Sequence, residues 1–261
     1  MSSVRPAAVS GTFYPAVRAK LHQMVIDLLN EVQVEPVAVK ALIAPHAGYI
    51  YSGPVAAGGY ARLTSQTDSI KRVVLLGPSH RVAFAGIAAP KSTVFETPLG
   101  QVSVDQKAID SLLDLPWVRR SDHPHLQEHS LEVQLPFLQT VLNNFALVPL
   151  VVGQAEAAQV AEVIDRLWGG DETLIVVSSD LSHYLDYDSA CKIDMKTTRA
   201  IEDLRAEDID FDQACGRLPV QGLLQIIKKR GLRCITVDLR NSGDTAGPRD
   251  HVVGYGAYVF N

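Results

Sequence analysis

The chain has 261 residues and a formal net charge of −5, with 47% hydrophobic and 20% charged residues. This composition is typical of a globular protein with a substantial core, and we expect a single domain over residues 1–261. It argues against nucleic acid as the main partner, because phosphate contacts require clustered Lys and Arg. The dense basic run Lys228-Lys229-Arg230 closes an apolar-periodic stretch before Gly231, where cations stabilise a helix C-terminus.

The N-terminal segment and the cysteines indicate the cellular setting. Residues 1–10 lack the apolar core of a signal peptide, and no run approaches the roughly 20 apolar residues of a membrane span. We therefore expect a cytoplasmic protein without membrane contact. Cys191, Cys215 and Cys234 are an odd number without a Cys-x-x-Cys pair, which favours reduced, buried thiols with no catalytic role.

Strand-like apolar runs alternate with stretches of helical periodicity along the chain. In chain order, and to within a few residues, we predict roughly these elements: helix 21–32, strand 38–44, helix 53–63, strands 72–77 and 84–89, an irregular or hairpin segment 93–104, helices 105–114 and 129–143, strand 145–151, helix 155–167, strand 172–178, helices 188–205, 208–216 and 219–230, and strands 233–239 and 251–260. This alternation predicts an α/β fold, a three-layer α/β/α sandwich with a central, mostly parallel sheet. The last two strands are candidates for an antiparallel pair.

Histidines stand where predicted strands end. His46, His80 and His183 follow the apolar runs 41–43, 73–76 and 174–177, respectively. The carboxyl ends of the strands in an open α/β sheet form the rim where ligands bind, so we expect these side chains to meet in one cleft. Because imidazoles suit iron, copper or zinc, His46 and His80 are predicted metal ligands.

A third ligand has four carboxylate candidates: Asp244, Asp180, Glu128 and Glu132. Asp244 follows the predicted strand 233–239, which places it on the same rim. Two imidazoles and one carboxylate form the facial arrangement of non-heme iron(II) sites. The alternative for Asp244 is a turn-forming role beside Gly243, and the sequence favours neither.

Asp180 and His183 are a candidate acid/base pair, in which Asp180 orients His183 or raises its pKa. The alternative is that Asp180 only caps the following turn. His129 is a further candidate for the catalytic site, as a hydrogen-bond donor behind the ligands or as a substrate-binding residue. No second histidine follows it at the spacing of a zinc protease, which excludes a His-Glu-x-x-His site.

The substrate-binding candidates are Phe13, Tyr14, Tyr49 and Glu128, which lie near the loops that carry the histidines. Aromatic residues more often fill a core, and this is the competing interpretation. The chain has no Gly-x-Gly-x-x-Gly, no phosphate-binding Gly-Lys-Ser/Thr loop and no Gly-x-Ser-x-Gly elbow. Nucleotide dependence and serine hydrolase chemistry are therefore disfavoured.

Together these motifs resemble the Memo family, known in bacteria and archaea as component B of the AmmeMemoRadiSam system. The motifs that carry the resemblance cover nearly the whole chain in the expected order: Gly11-Thr12-Phe13-Tyr14-Pro15, Ala44-Pro45-His46-Ala47-Gly48-Tyr49, Gly77-Pro78-Ser79-His80, Glu128-His129-Ser130-Leu131-Glu132, Ser178-Ser179-Asp180-Leu181-Ser182-His183 and Val252-Val253-Gly254-Tyr255. The Memo family is similar to class III extradiol dioxygenases, non-heme iron enzymes that open catechol rings. The resemblance therefore implies their fold and a metal site.

The resemblance also implies roles for individual residues. His46 and His80 would hold the metal, Fe(II) with zinc or copper as alternatives, while His129, Asp180 and His183 would line the cavity. Animal members use a cysteine as the third ligand, but residues 241–247, taken as the corresponding loop, contain none and leave Asp244 as its substitute. A functional link to a radical SAM protein and to an AMMECR-type protein is implied as well.

The resulting hypothesis is a metal-binding, dioxygenase-like protein that acts on a small or peptide-borne aromatic substrate. Two alternatives stay open. The first is a non-enzymatic module that binds a peptide or partner in the same cleft. The second is a zinc hydrolase in which metal-bound water is the nucleophile.

Overall fold

The computed structural model describes residues 3–34 and 37–261. Strands and helices alternate along this part of the chain, and short 3-10 turns join several of them. In chain order the elements are β1 (Val4–Arg5), α1 (Arg18–Asn30), β2 (Ala41–Ala44), α2 (Tyr49–Ala61), β3 (Arg72–Pro78), β4 (Ile87–Ala89), β5 (Val94–Thr97), β6 (Gly100–Ser103), α3 (Gln106–Asp110), β7 (Val118–Arg120), α4 (Leu135–Val141), β8 (Ala146–Val152), α5 (Ala157–Arg166), β9 (Thr173–Ser178), β10 (His183–Leu185), α6 (Tyr187–Glu202), α7 (Arg217–Arg230), β11 (Cys234–Asn241) and β12 (Val252–Phe260).

Four parallel strands, in the order β2, β9, β3 and β8, form the centre of the larger sheet. Their side chains are mostly apolar and almost all are buried, as expected for strands covered by helices on both faces. Antiparallel pairing extends both edges: β12 pairs with β2, β10 and β11 pair with β12, and β4 pairs with β8. The predicted α/β fold with a parallel centre is confirmed, and so is the antiparallel pairing of the last two strands.

The helices form two packed groups on the two sides of the sheet. Helices α1, α2 and α4 contact one another, and α5 packs against α7. Helix α2 contacts β2 and β12, whereas α7 contacts β3 and β9. This packing holds the carboxyl ends of the central strands in fixed positions, and the loops that follow them are the natural place for a site.

Two predicted helices differ from the structure, and β10 is a strand that the sequence did not predict. Residues 129–143 form a 3-10 turn over Glu132–Gln134 and a helix only from Leu135, because Pro136 lacks an N–H and suits a first helical turn. Residues 208–216 contain no α-helix, since the extended backbone of Ala214 ends the short turn before it. His183 begins β10, because this segment pairs with β12.

No α-helix within the two described ranges combines the length and the apolar character needed to cross a membrane. Helix α6 has 16 residues and packs against β11 and β12. A helical span of the hydrocarbon core takes roughly 20 apolar residues.

Candidate metal centre

The loops after β2, β3 and β9 border one cleft of about 560 Å³, here called the histidine cleft. The segment between β11 and β12 contributes the opposite wall through Ser242 and Pro248. The sequence-predicted residues that line it are His46, His80, His129, Asp180, His183 and Phe13. The rim of the sheet thus brings residues from distant parts of the chain into one cleft.

His46 is buried and has a fixed hydrogen-bonding direction. Its Nδ1 lies 2.8 Å from Oγ of Ser178, the last residue of β9. That hydroxyl donates to the carbonyl of Ser130 at 2.6 Å and accepts from the amide of Gln134 at 2.8 Å, so toward His46 it is an acceptor. His46 therefore carries its proton on Nδ1 and presents the lone pair of Nε2. Burial holds the pKa of His46 well below its ordinary value and keeps the ring neutral.

The carboxylate of Glu128 fixes the position of the His80 proton, as Ser178 does for His46. Oε1 of Glu128 lies 2.9 Å from Nδ1 of His80, and Oε2 accepts the backbone N–H of His80 at 2.6 Å. Glu128 also accepts the N–H groups of His129 and Ser130, each at 2.9 Å. Although burial opposes ionisation, the bonds from His80 and Ser130 lower the pKa of Glu128 to about 2. The charged carboxylate keeps the His80 proton on Nδ1 and leaves Nε2 free as a ligand.

His129 completes a cluster of three imidazoles. Its ring centroid lies 4.6 Å from that of His80 and 5.4 Å from that of His46, and the rings of His46 and His80 are 5.1 Å apart. Phe13 packs against His129 with ring centroids 4.7 Å apart. Nδ1 of His129 is buried without a hydrogen-bond partner in the described part of the chain. Since burial lowers the pKa of His129, this ring is a neutral neighbour of His46 and His80.

Cys215, which lies two residues before α7, also belongs to this cluster. Its Sγ lies 3.4 Å from Nε2 of His46 and accepts the N–H of Asp180 at 3.3 Å. His46, His80 and Cys215 offer three ligand atoms that all lie within 4.8 Å of one another. Metal bonds of about 2.0 Å to nitrogen and 2.3 Å to sulfur place two tetrahedral ligands about 3.5 Å apart. The His46–Cys215 distance matches this spacing.

None of the cysteines was predicted from the sequence to have a catalytic role, and the structure places Cys215 in a group that could hold a metal ion. Burial raises the pKa of the Cys215 thiol, so the protonated form is favoured when no cation is bound. A bound divalent cation reverses this preference, because a coordinating thiol is deprotonated. Cys215 does not follow a strand. The position after a strand, from which the histidines were predicted, therefore gave no indication of this cysteine.

Asp180 and His183 lie in the same cleft wall. Oδ1 of Asp180 accepts the backbone N–H of His46 at 2.7 Å. Burial raises the pKa of Asp180, although this hydrogen bond opposes the shift. His183 lines the cleft from the first position of β10. Both members of the candidate acid/base pair therefore face the cluster.

The carboxylate of Asp244 does not join the ligand group. Its Oδ1 accepts the hydroxyl of Tyr187 at 2.7 Å, and its Oδ2 accepts the N–H of Asn241 at 3.1 Å. These contacts close the 3-10 turn Ser242–Asp244 at the end of β11. Since β12 lies between β11 and β2, a position on the rim does not bring Asp244 to His46. The structure gives Asp244 the turn-forming role and not the predicted place beside the histidines.

Only Phe13 of the four predicted substrate-binding residues lines the histidine cleft. Tyr49 and Tyr14 are only 1% and 3% exposed, and their hydroxyls are hydrogen-bonded inside the protein. The prediction is wrong for these two residues, which fill the core as the competing interpretation has it. Glu128 is buried as well and acts on His80.

Comparison with known sequences indicates one family. The sequence matches the family described as "Memo-like protein" over residues 5–259. A MEMO1 family protein of Aquifex aeolicus (strain VF5) is 37% identical over 269 residues, which cover 98% of this chain and 99% of that protein. A MEMO1 family protein of Ignicoccus hospitalis is 37% identical over 283 residues, which cover 98% of each chain.

Among solved structures, an uncharacterized protein from Escherichia coli K12 has a similar fold. The two superpose with a TM-score of 0.52 over 82% of this chain and 98% of that chain, at 13% sequence identity. This likeness concerns the fold alone. On the match along nearly its full length, the chain belongs to the Memo-like family.

Proposed function

We propose that this protein binds one transition-metal ion through Nε2 of His46, Nε2 of His80 and Sγ of Cys215. The observation that carries the proposal is the convergence of these three ligand atoms within 4.8 Å. The donor set fits a metal, because Ser178 and Glu128 each hold a histidine proton on Nδ1 and leave a lone pair on Nε2.

We propose iron as the metal, with zinc and copper as the competing ions. Neutral imidazoles accept all three, and a thiolate shifts preference toward softer ions than a carboxylate does. Iron is favoured by the similarity of the Memo family to class III extradiol dioxygenases, which the sequence resemblance implies. With a cysteine as the third ligand, zinc and copper compete with iron more strongly than they would at a site of two histidines and one carboxylate.

The proposed reaction is oxidation of a small or peptide-borne aromatic molecule in the histidine cleft. Bound iron would supply the redox chemistry with oxygen. Phe13 and Tyr184 line the cleft and would pack against an aromatic substrate. His183, positioned by Asp180, would exchange protons with the substrate, and His129 would contact it as a neutral imidazole.

Metal titration of the purified protein under anaerobic conditions tests the ligand set. We expect Cys215→Ala and His46→Ala each to weaken Fe(II) binding at least about 100-fold, since each removes a ligand. Asp244→Ala is the matched control and should bind as wild type, because its carboxylate accepts from Tyr187 and Asn241 and is not part of the ligand group. Loss of binding in Asp244→Ala with retention in Cys215→Ala would overturn the assignment.

Elemental analysis and oxygen uptake with catechols then separate the functions. Iron with oxygen uptake supports the dioxygenase-like proposal. Zinc with ester or amide hydrolysis favours the hydrolase, and a metal-free protein that binds peptides in the cleft favours the binding module. A link to a radical SAM protein and an AMMECR-type protein is a further proposal that rests on the family resemblance.

A further inference from the structure

A second cleft of about 330 Å³ lies next to Cys215, here called the Arg217 cleft. Its lining includes Cys215 and Ser79, which neighbours His80, but none of the residues that line the histidine cleft. The Arg217 cleft therefore reaches Cys215, and the histidine cleft reaches His46 and His80 of the same proposed ligand group. A volume of about 300 Å³ is at the lower end of the range for small-molecule sites.

The wall of the Arg217 cleft is mainly apolar. Val82, Phe84, Phe211 and Leu218 line it, and the phenyl ring of Phe211 belongs to a residue that is 80% exposed. An exposed aromatic ring beside an apolar wall gains free energy when a ligand covers both, at about 25 cal/mol per Å² of apolar surface. The body of the ligand is accordingly apolar.

Arg217 is the one charged residue in this lining, which contains no carboxylate. Its Nε is buried and has no hydrogen-bond partner within residues 3–34 and 37–261. None of the ion pairs found in those ranges includes Arg217. The first turn of α7 contains no acidic residue that could offset its charge. A guanidinium with no counter-charge in the described residues is matched by a carboxylate, which accepts two parallel N–H bonds from its terminal nitrogens.

We propose that the Arg217 cleft binds a small organic acid, with its carboxylate on Arg217 and its apolar body against Phe84, Phe211 and Leu218. Such a ligand would lie beside Cys215 and thus next to the proposed metal without entering the histidine cleft. The proposal does not depend on the metal, and its test uses the metal-free chain.

Benzoate, phenylacetate and hexanoate are the probes, and calorimetry or NMR titration measures their binding. We expect at least one of them to bind at millimolar concentration or below. Benzamide, which keeps the ring and loses the charge, and acetate, which keeps the charge and loses the apolar body, should both bind about 10-fold more weakly or worse. Equal binding of benzoate and benzamide would contradict the role of Arg217.

Variants locate the site. Arg217→Gln should weaken benzoate binding about 10- to 100-fold, because a charge-assisted pair is lost. Ala83→Trp should abolish it by filling the cleft from an exposed position, which avoids any effect on the core. Arg81→Gln is the control, since Arg81 lines the histidine cleft instead. The proposal is overturned if no probe binds, if Arg217→Gln and Ala83→Trp both bind as wild type, or if Arg81→Gln alone loses binding.

Discussion

Ser178 determines which nitrogen of His46 is available to a metal. Its hydroxyl proton goes to the carbonyl of Ser130, so its lone pairs are left for Gln134 and His46. The imidazole is thereby held in one tautomer and one orientation before any metal binds. A partner of this kind behind a ligand also raises the basicity of the ligand.

Replacement of Ser178 by alanine removes the acceptor for Nδ1 of His46 and makes both tautomers accessible. We expect Ser178→Ala to weaken metal binding about 10-fold or more. Ser52→Ala is the matched control, because the Ser52 hydroxyl donates to the carbonyl of Ala47 at 2.9 Å and not to a histidine. Anaerobic metal titration compares the three proteins, and wild-type affinity in Ser178→Ala would refute the role of the hydroxyl.

The buried carboxylate of Glu132 connects the N-terminal segment to the core. Glu132 pairs with the guanidinium of Arg5 and accepts backbone N–H groups of residues 8 and 9 at 2.7 and 3.0 Å. It also accepts the hydroxyl of Tyr14. Since Phe13 precedes Tyr14 and lines the histidine cleft, Glu132 positions one wall of the site from inside the core.

Glu132→Gln removes the counter-charge of the buried Arg5 guanidinium. We expect the free energy of unfolding to fall by about 3–5 kcal/mol, the cost of a buried charge without its partner. Glu162→Gln is the control: it removes an exposed pair with Arg166 on α5, which contributes little to stability because solvent screens it. Urea unfolding measures both variants, and similar losses in the two would speak against a buried ion pair.

Helix α6 and strand β12 meet around another buried carboxylate, that of Asp194. It accepts the N–H of Ser182 at 3.0 Å, and a Cβ at position 254 would lie 2.0 Å from one of its oxygens. Gly254 is therefore required by close approach. Burial raises the pKa of Asp194 to about 6, although the bond from Ser182 opposes the shift. This contact fixes the segment that carries His183 into the cleft.

The raised pKa of Asp194 makes folding stability depend on pH. The unfolded chain loses this proton near the ordinary pKa of 3.8, and the folded protein loses it near 6. As pH rises between these values the unfolded state is deprotonated first, so the contribution of this group to stability falls by about 3 kcal/mol. Asp194→Asn, which can still accept from Ser182, should gain stability relative to wild type between about pH 4 and pH 8. Urea unfolding at both pH values checks this, and a constant difference between the two proteins would refute it.

Across the whole molecule, the element that precedes each site residue decides whether that residue could be predicted from the sequence. His46 and His80 were identified because each follows a buried parallel strand, β2 and β3, whose direction fixes the edge where its loop lies. Asp180 and His183 follow β9 by the same rule. Cys215 precedes a helix, and no local pattern indicates that α7 begins beside β9 and the ligand loops.

The failures of prediction have equally specific causes. A position directly after a strand gives the edge of the sheet on which a residue lies, but not its distance along that edge. Asp244, which follows β11, was therefore assigned to a site that it does not reach. Tyr14 and Tyr49 are adjacent in sequence to cleft residues, but sequence gives no direction for a side chain. The alternation of apolar runs predicted the centre of the sheet. The conformation at the start of the segment 129–143 depends instead on buried polar contacts, since His129 and Ser130 donate their N–H groups to Glu128.

The separation of the proposed ligands along the chain has a consequence for folding kinetics. Residues 46 and 215 become neighbours only when α7 has docked on the sheet, so we predict that the site is incomplete in the folding transition state. A metal that binds only the native arrangement should slow unfolding and leave the folding rate almost unchanged. Stopped-flow measurements with and without metal would show this as a shift of the unfolding limb alone. The lifetime of the folded state, and not the speed of its formation, would then follow the supply of metal.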